Sequence, residues 1–330
     1  MNSSIDAVGI DVAKASLSIC IHFTDGNEHV LTIRNTDTDI SIKLLPALKN
    51  CDGKIVMEST GHYHWLTALR LHENGCNVYV VNPLLASQYT TKNIRKVKSD
   101  PSDARGLARM ARIADNLPKP FTDTKNRLWM RKKLGLLASL SKQVQALQAS
   151  VTSVREAQKI INGDGSPVID ELEKSIRSLK KSMEKLEKEC VEYSKKDHNV
   201  KKQTDLLTSI PGVSEFAAIL ALHWFDKDKG NARSWIAYAG SDISVRESGT
   251  WRGKCKLTKR GNAYLRKRLF SCAWGAYMHD THFKQYYEQL RQSGRSHVES
   301  LLIIMRKLIR IMHMMLETGQ VYDAKKCFAQ

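Results

Sequence analysis

Residues 5–14 read Ile-Asp-Ala-Val-Gly-Ile-Asp-Val-Ala-Lys, and the fold of the N-terminal half follows from them. A run of β-branched and small apolar residues broken only by Asp6 and Asp11 suits a strand packed on both faces, with Asp11 at its carboxyl end. Four further β-rich runs surround it, at 16–22, 29–33, 54–57 and 77–82. The first three runs lie close together, with Asp25-Gly26-Asn27 as one turn signal, and predict an antiparallel meander. The later runs are separated by helical patterns such as Trp65–Glu73. A mixed sheet flanked by helices is therefore expected over residues 1–122.

Downstream the periodicity changes. Leu137, Leu140, Val144, Leu147, Val151 and Val154 are spaced alternately three and four apart. The pattern breaks at Asn162-Gly163-Asp164-Gly165-Ser166-Pro167. It resumes at Ile169, Leu172, Ile176, Leu179, Met183, Leu186, Cys190 and Tyr193. A heptad seam on each side of a turn predicts an antiparallel helical hairpin or a coiled-coil dimerisation arm over 123–203, serving equally as a spacer or as a partner-binding element. Residues 204–330 read as mostly helical and end in an apolar helix, Leu301–Leu316. Near their start, Leu206-Leu207 runs into Ile210-Pro211-Gly212-Val213, the form of a helix-hairpin-helix, in which Gly212 would let backbone amides approach a phosphate. The fold class is thus α/β followed by α.

Charge divides the chain unevenly. Residues 1–90 hold six Lys and Arg against nine Asp and Glu, a net of −3, so with a total of +18 the remaining residues carry +21. A mildly acidic head on a strongly basic body suits a polyanionic partner; an anionic membrane surface is disfavoured, because no amphipathic basic helix stands alone. No apolar run approaches the roughly 20 residues of a membrane span, and the N-terminus lacks a signal-peptide pattern. Seven scattered cysteines include no Cys-x-x-Cys pair, which predicts reduced, packed thiols rather than a zinc site or disulfide framework.

Two constellations could carry chemistry. One is acidic: Asp11 ends the first strand, Glu58 ends the strand before Ser59-Thr60-Gly61, and Asp100-Pro101-Ser102-Asp103 opens a helix with Asp100 as cap and Asp103 on the same face. Four carboxylates on strand ends and one helix turn could hold two hard divalent ions, Mg²⁺ or Mn²⁺, on either side of a phosphate. His62 and His64 follow and are expected to line a pocket. The other constellation is basic. Arg246, Arg252, Lys254, Lys256, Lys259, Arg260, Arg266, Lys267 and Arg268 surround Ser248, with Trp251 and Tyr264 offered as stacking faces. By chemistry alone, Ser248 in such a loop is a phosphate hydrogen-bonder more often than a nucleophile.

With these segments in view, the chain resembles the IS110/IS1111 family of transposases, which includes the Piv-type DNA invertases. Gly9-Ile10-Asp11-Val12-Ala13-Lys14, Glu58-Ser59-Thr60-Gly61, Val81-Asn82-Pro83 and Asp100-Pro101-Ser102-Asp103-Ala104-Arg105 are similar to the family's RuvC-like DEDD domain. Ile210-Pro211-Gly212-Val213, Ala237-Tyr238-Ala239-Gly240, Glu247-Ser248-Gly249 and Lys259-Arg260-Gly261-Asn262 are similar to its C-terminal transposase domain. The resemblance implies an RNase H-like fold with Asp11, Glu58, Asp100 and Asp103 as a catalytic metal-binding quartet and Ser248 as the nucleophile that forms a phosphoserine bond to DNA. It implies a homo-oligomer, dimer or tetramer, in which one subunit's carboxylates meet another's serine. The further implied partners are donor and target DNA and a structured non-coding bridge RNA, in a prokaryotic, cytoplasmic, nucleoid-associated protein. Ser241-Asp242-Ile243 stands where relatives usually carry Leu-x-Pro. A Holliday-junction-type nuclease using carboxylates alone, a Piv-like invertase and a non-catalytic nucleic-acid-binding protein are the alternative functions.

Overall fold

The structure, a computed structural model, describes residues 4–49, 51–90, 100–225, 230–244, 247–248, 251–252 and 256–328. The chain divides into two compact units, residues 1–128 and 129–330.

The first unit is built on a five-stranded sheet of order β3-β2-β1-β4-β5, with β1 Ile5–Val12, β2 Ser16–Phe23, β3 Glu28–Arg34, β4 Lys54–Glu58 and β5 Asn77–Val81. The expected meander is present: β1 pairs antiparallel with β2, and β2 with β3. Its second turn places Gly26 at φ 88°, while the Asp25 carboxylate accepts the Asn27 amide at 2.9 Å. β4 and β5 then continue parallel to β1, joined through α3 (Trp65–Glu73). This mixed sheet fits the RNase H-like expectation.

Strand alternation sorts the side chains. Val8, Ile10, Val12, Ile55 and Met57 pack in one layer with α3 and a short helical stretch made of α1 (Asp37–Asp39), a π-helical turn (Ile40–Leu44) and α2 (Leu45–Ala47). Ala7, Val56 and Val81 face the other way, onto Leu107, Met110 and Ala111 of α5 (Asp100–Ile113) and Ala86 of α4 (Pro83–Thr90). Asn82 caps α4, its side-chain oxygen accepting the Leu84 amide at 2.9 Å ahead of Pro83 in the first turn.

In the second unit, α6 (Lys125–Ile160, rooted in the first unit) and α7 (Pro167–Ser194) form an antiparallel hairpin within one chain. Val144, Val151 and Ile176 make its buried seam, with Leu147, Ile169, Leu172 and Met183 packed against them. Val154 and Leu179, expected in that seam, are exposed instead. Arg155 reaches across to Glu173 at 3.0 Å and also bonds Asp170, and Lys180 meets Gln148 at 2.7 Å. The root of the hairpin does not stand apart. Leu134, Leu137 and Cys190 share one core with α8 (His198–Thr208), α9 (Glu215–Trp224), α11 (Ala263–His279), α12 (Thr281–Gln292) and α13 (His297–Thr318). In α9 the run Phe216–Ala221 is buried on every side, as a helix apolar all round requires. The expected C-terminal core helix is α13, which begins in a Ser296–Glu299 capping box. α10 (Ala232–Tyr238) and α14 (Ala324–Phe328) complete the helices. Among the described residues, no helix is long and apolar enough to cross a membrane.

Candidate catalytic carboxylates and serine hairpin

The elements that carry the acidic residues are brought together by one close approach of backbones. A Cβ placed on Gly9 would stand 2.1 Å from the Ala104 carbonyl oxygen and 2.2 Å from the Ala108 nitrogen, so α5 rests directly on β1 at a position where only glycine fits. From that crossing α5 runs toward Ala7 and Val56 in one direction. In the other, its first turn, Asp100 to Asp103, extends toward the carboxyl end of β1. Asp11 lies two residues beyond Gly9 and so on the same face of the sheet. Glu58 lies two beyond Val56, on that face too, and the parallel pairing of Ile10 with Met57 brings the two strand ends side by side. Strand ends and helix N-terminus therefore meet at the edge where open sheets place their ligands. Asp11, Glu58 and Asp103 are all half-buried. The helix already includes Asp100, so Pro101 sits in its first turn rather than at its first position; Asp100 is described by its backbone. Among the described residues no three Asp, Glu, His or Cys side chains are gathered tightly enough to share a metal ion.

The sequence reading missed one residue here. The Asn35 side-chain amide donates to the Ala13 carbonyl at 3.0 Å and to the Tyr63 carbonyl at 3.1 Å, and accepts from Thr67 at 3.5 Å. Ala13 lies on the exit from Asp11 and Tyr63 on the exit from Glu58, so Asn35 ties the two carboxylate-bearing loops together. An asparagine after the third strand carries no motif signal. His64 is buried, and desolvation lowers its pKa below the usual histidine value. His62 stacks loosely on Tyr63, at 4.5 Å between ring centres.

Ser248 belongs to the second unit. It lies in β7 (Glu247–Ser248), which pairs antiparallel with β8 (Trp251–Arg252), Ser248 opposite Trp251. Outside this pair, β6 (Ile243–Ser244) pairs with β9 (Lys256–Leu257). These residues thus occupy a β-ladder rather than a plain loop. Ser248, Trp251, Arg252 and Lys256 are described by their backbone, whereas Arg246 and Lys254 lie outside the described residues. The ladder's root is tightly fixed. Asp242 accepts the Thr258 amide at 3.0 Å, and Lys259, at φ 53°, donates to the Gly240 carbonyl at 3.2 Å. A Cβ on Gly261 would stand 2.0 Å from the Tyr238 oxygen, so two of the recognised motifs meet backbone to backbone. Lys259 and Arg260 are exposed there.

Three members of the basic constellation behave differently from expectation. Tyr264, offered as a stacking face, is buried, with its hydroxyl 3.0 Å from Glu187 of α7, and burial pushes its pKa up to about 12. Arg268 bonds Glu187 and the Tyr264 hydroxyl and lies 5.2 Å over the Phe216 ring. Arg266 donates to the Ala239 carbonyl at 3.0 Å. These three residues lie in the first turns of α11, where helix packing turns them toward Glu187, Phe216 and Ala239. Gly212, at φ 86°, does form the bend between α8 and α9; it also packs on α11, where a Cβ would stand 2.3 Å from the Ala276 nitrogen. Gly212 is nevertheless exposed.

Comparison with known proteins gives consistent matches. A 30% identical segment of 122 residues is shared with the IS110 insertion element's uncharacterized 43.6 kDa protein of Streptomyces coelicolor; it spans 36% of this chain and 30% of that protein. Pilin gene-inverting proteins of Moraxella lacunata and Moraxella bovis are 22% identical over 96% of this chain and 98% of theirs. Among solved structures, RuvC of T. thermophilus in complex with a Holliday junction substrate aligns with a TM-score of 0.25 at 14% identity, over 34% of this chain and 98% of RuvC. An IS110-type DEDD transposase model matches residues 8–156 and a model for transposases of the IS116/IS110/IS902 family matches residues 204–288, more than half of the chain together; the chain belongs to the IS110 family of transposases.

Proposed function

We propose that the chain is a divalent-metal-dependent DNA recombinase that moves an insertion sequence, cutting and rejoining strands through Ser248. The observation that carries this reading is the meeting of the Asp11 and Glu58 strand ends with the first turn of α5 on one face of the sheet. Oxygen-only donors suit Mg²⁺ or Mn²⁺, and ions held by Asp11, Glu58, Asp100 and Asp103 would neutralise charge on a phosphodiester. Ser248 Oγ then attacks phosphorus as its proton passes to solvent, and the bond to one strand oxygen breaks, leaving a hydroxyl end. Attack by a hydroxyl on the phosphoserine reverses the step on a new partner, so the bond energy is kept without ATP. The basic residues from Arg246 to Arg260 and the Gly212 turn grip the DNA backbone. Donor and target DNA, a structured guide RNA and a homo-oligomer that brings one copy's serine to another's carboxylates complete the reading.

A site-specific invertase with the same chemistry is the second reading, favoured by the near full-length similarity to pilin gene-inverting proteins. The test is the Ser248→Ala chain incubated with element-end DNA and Mg²⁺. Loss of covalent protein–DNA adducts with retained DNA binding is expected. Adducts or recombination from Ser248→Ala would end the serine mechanism, and normal cleavage without adducts would make the protein a carboxylate nuclease.

A further inference from the structure

A cleft of about 300 Å³ opens in the second unit, lined by Arg131 of α6, His223, Trp224 and Phe225 at the end of α9, and Ser234, Trp235 and Tyr238 of α10. None of these residues was part of the chemistry read from sequence. Its walls are aromatic and ordered by stacking. Phe225 and Trp235 lie parallel at 4.6 Å between ring centres, and Tyr238 meets Phe225 edge-on at 6.3 Å. Tyr238 leaves 46% of its surface in solvent although its neighbours Ile236 and Ala239 are buried. Within the wall, the Trp235 indole N–H is buried and has no acceptor among the described residues, an uncommon state for a tryptophan in a core. Tyr238 also borders a second, open cleft with Asp242, Thr258, Arg260 and Asn262, at the root of the Ser248 hairpin. Tyr238 thus lines both the aromatic cleft and the cleft at the base of the serine ladder, on a body of net +21.

An aromatic lining with the half-exposed Tyr238 ring favours a ligand that stacks, and Arg131 with the exposed Arg260 favours an anionic one. We propose that this slot takes an unstacked nucleobase of the bound nucleic acid, with Tyr238 and Trp224 as stacking faces and the strand's phosphates toward Arg131 and Arg260. The base is one displaced from pairing, because a paired base has both faces covered by its neighbours. Its place beside the hairpin root makes it a register pin, fixing which phosphate reaches Ser248. The proposal rests on the recombinase reading for its partner but is tested apart from it.

The probes are two 12-mers of equal charge, oligo-dA and an all-abasic tetrahydrofuran strand, with oligo-rA as a third, titrated against the full chain by fluorescence anisotropy. Base stacking against aromatic side chains leads us to expect about tenfold tighter binding of oligo-dA or oligo-rA than of the abasic strand. Tyr238→Leu and Trp224→Leu abolish that preference while leaving abasic binding unchanged, and Tyr238→Phe restores it. Thermal unfolding of each variant confirms an intact fold. The stronger of the dA and rA preferences identifies DNA or RNA as the source of the base. Equal binding of all three strands by the native chain, or a preference that survives Tyr238→Leu and Trp224→Leu, overturns the slot while leaving the recombinase reading standing. Failure to bind any strand likewise overturns the slot, and the recombinase reading is then decided by its own test on element-end DNA.

Discussion

The two halves of the proposed active centre are held in opposite ways. Asp11 and Glu58 end strands in the middle of a five-stranded sheet, covered on both faces, with a helix pressed onto the backbone at Gly9. Ser248 stands near the tip of a ladder of two-residue strands, fixed at its root by Asp242, Gly240 and Gly261. A metal-binding set must keep its oxygens within a narrow range of separations, which a packed sheet enforces. A serine nucleophile, as proposed for Ser248, would have to be presented to its partner strand, and a ladder anchored at its root suits that. On the proposed mechanism, rigidity falls where metal coordination would need it and projection where covalent attachment would.

The largest effect that can break this comparison is chemical. Asp11→Asn or Glu58→Gln keeps shape but removes charge. Strand cleavage is expected to fall on the order of 10²–10³-fold or more while DNA binding holds, measured in single-turnover assays with Mg²⁺. Cleavage at native rates would remove the carboxylate half from the mechanism.

Next come the glycine crossings. Gly9→Ala drives a Cβ into Ala104 and Ala108 backbone, where nothing can turn aside, and about 3 kcal/mol of stability is expected to go from the first unit. Gly261→Ala makes the same collision with the Tyr238 oxygen, but at the hairpin root. If the halves differ as described, the first lowers the melting temperature and metal affinity, and the second lowers adduct formation with a smaller shift in melting. Equal melting losses would erase the contrast.

Glu187→Ala leaves the half-buried Arg268 guanidinium and the Tyr264 hydroxyl without their shared acceptor. A cost of about 2 kcal/mol is expected in denaturant unfolding. Asn35→Ala removes two hydrogen bonds between the carboxylate loops, for about 1–2 kcal/mol. Weaker Mn²⁺ binding by electron paramagnetic resonance should accompany it, and unchanged binding would reduce Asn35 to a purely structural clasp.

The smallest expected effect is on pH. His64 is neutral in the fold because burial lowers its pKa from 6.5, so the unfolded chain binds the extra proton. Stability is therefore full above pH 6.5 and declines as pH falls below it. Substituting His64→Gln should flatten that decline in melting curves between pH 7 and 5.

Much of this was legible in the chain. Strand bounds, the antiparallel meander, the helix Trp65–Glu73 and the helical hairpin follow from local periodicity, since side-chain burial repeats every two or every 3.6 residues whatever the partner is. Carboxylates at strand ends were legible for the same reason. The inward turn of Tyr264, Arg266 and Arg268 was not, because a basic run looks the same on either face of a helix. Exposure of Val154 and Leu179 was hidden in the same way: a heptad position says which residues share a stripe, not how far the facing helix covers it.

By itself, then, the amino-acid order determined which segments are strands and helices, where charge concentrates and which family signatures stand in line. Only the tertiary structure decided that Gly9 sets the distance between β1 and α5, that Asn35 joins two loops, and that an aromatic slot opens beside the serine ladder. Those features arise from contacts between residues far apart in the chain, whose energies depend on the packed geometry and leave no periodic trace along the sequence.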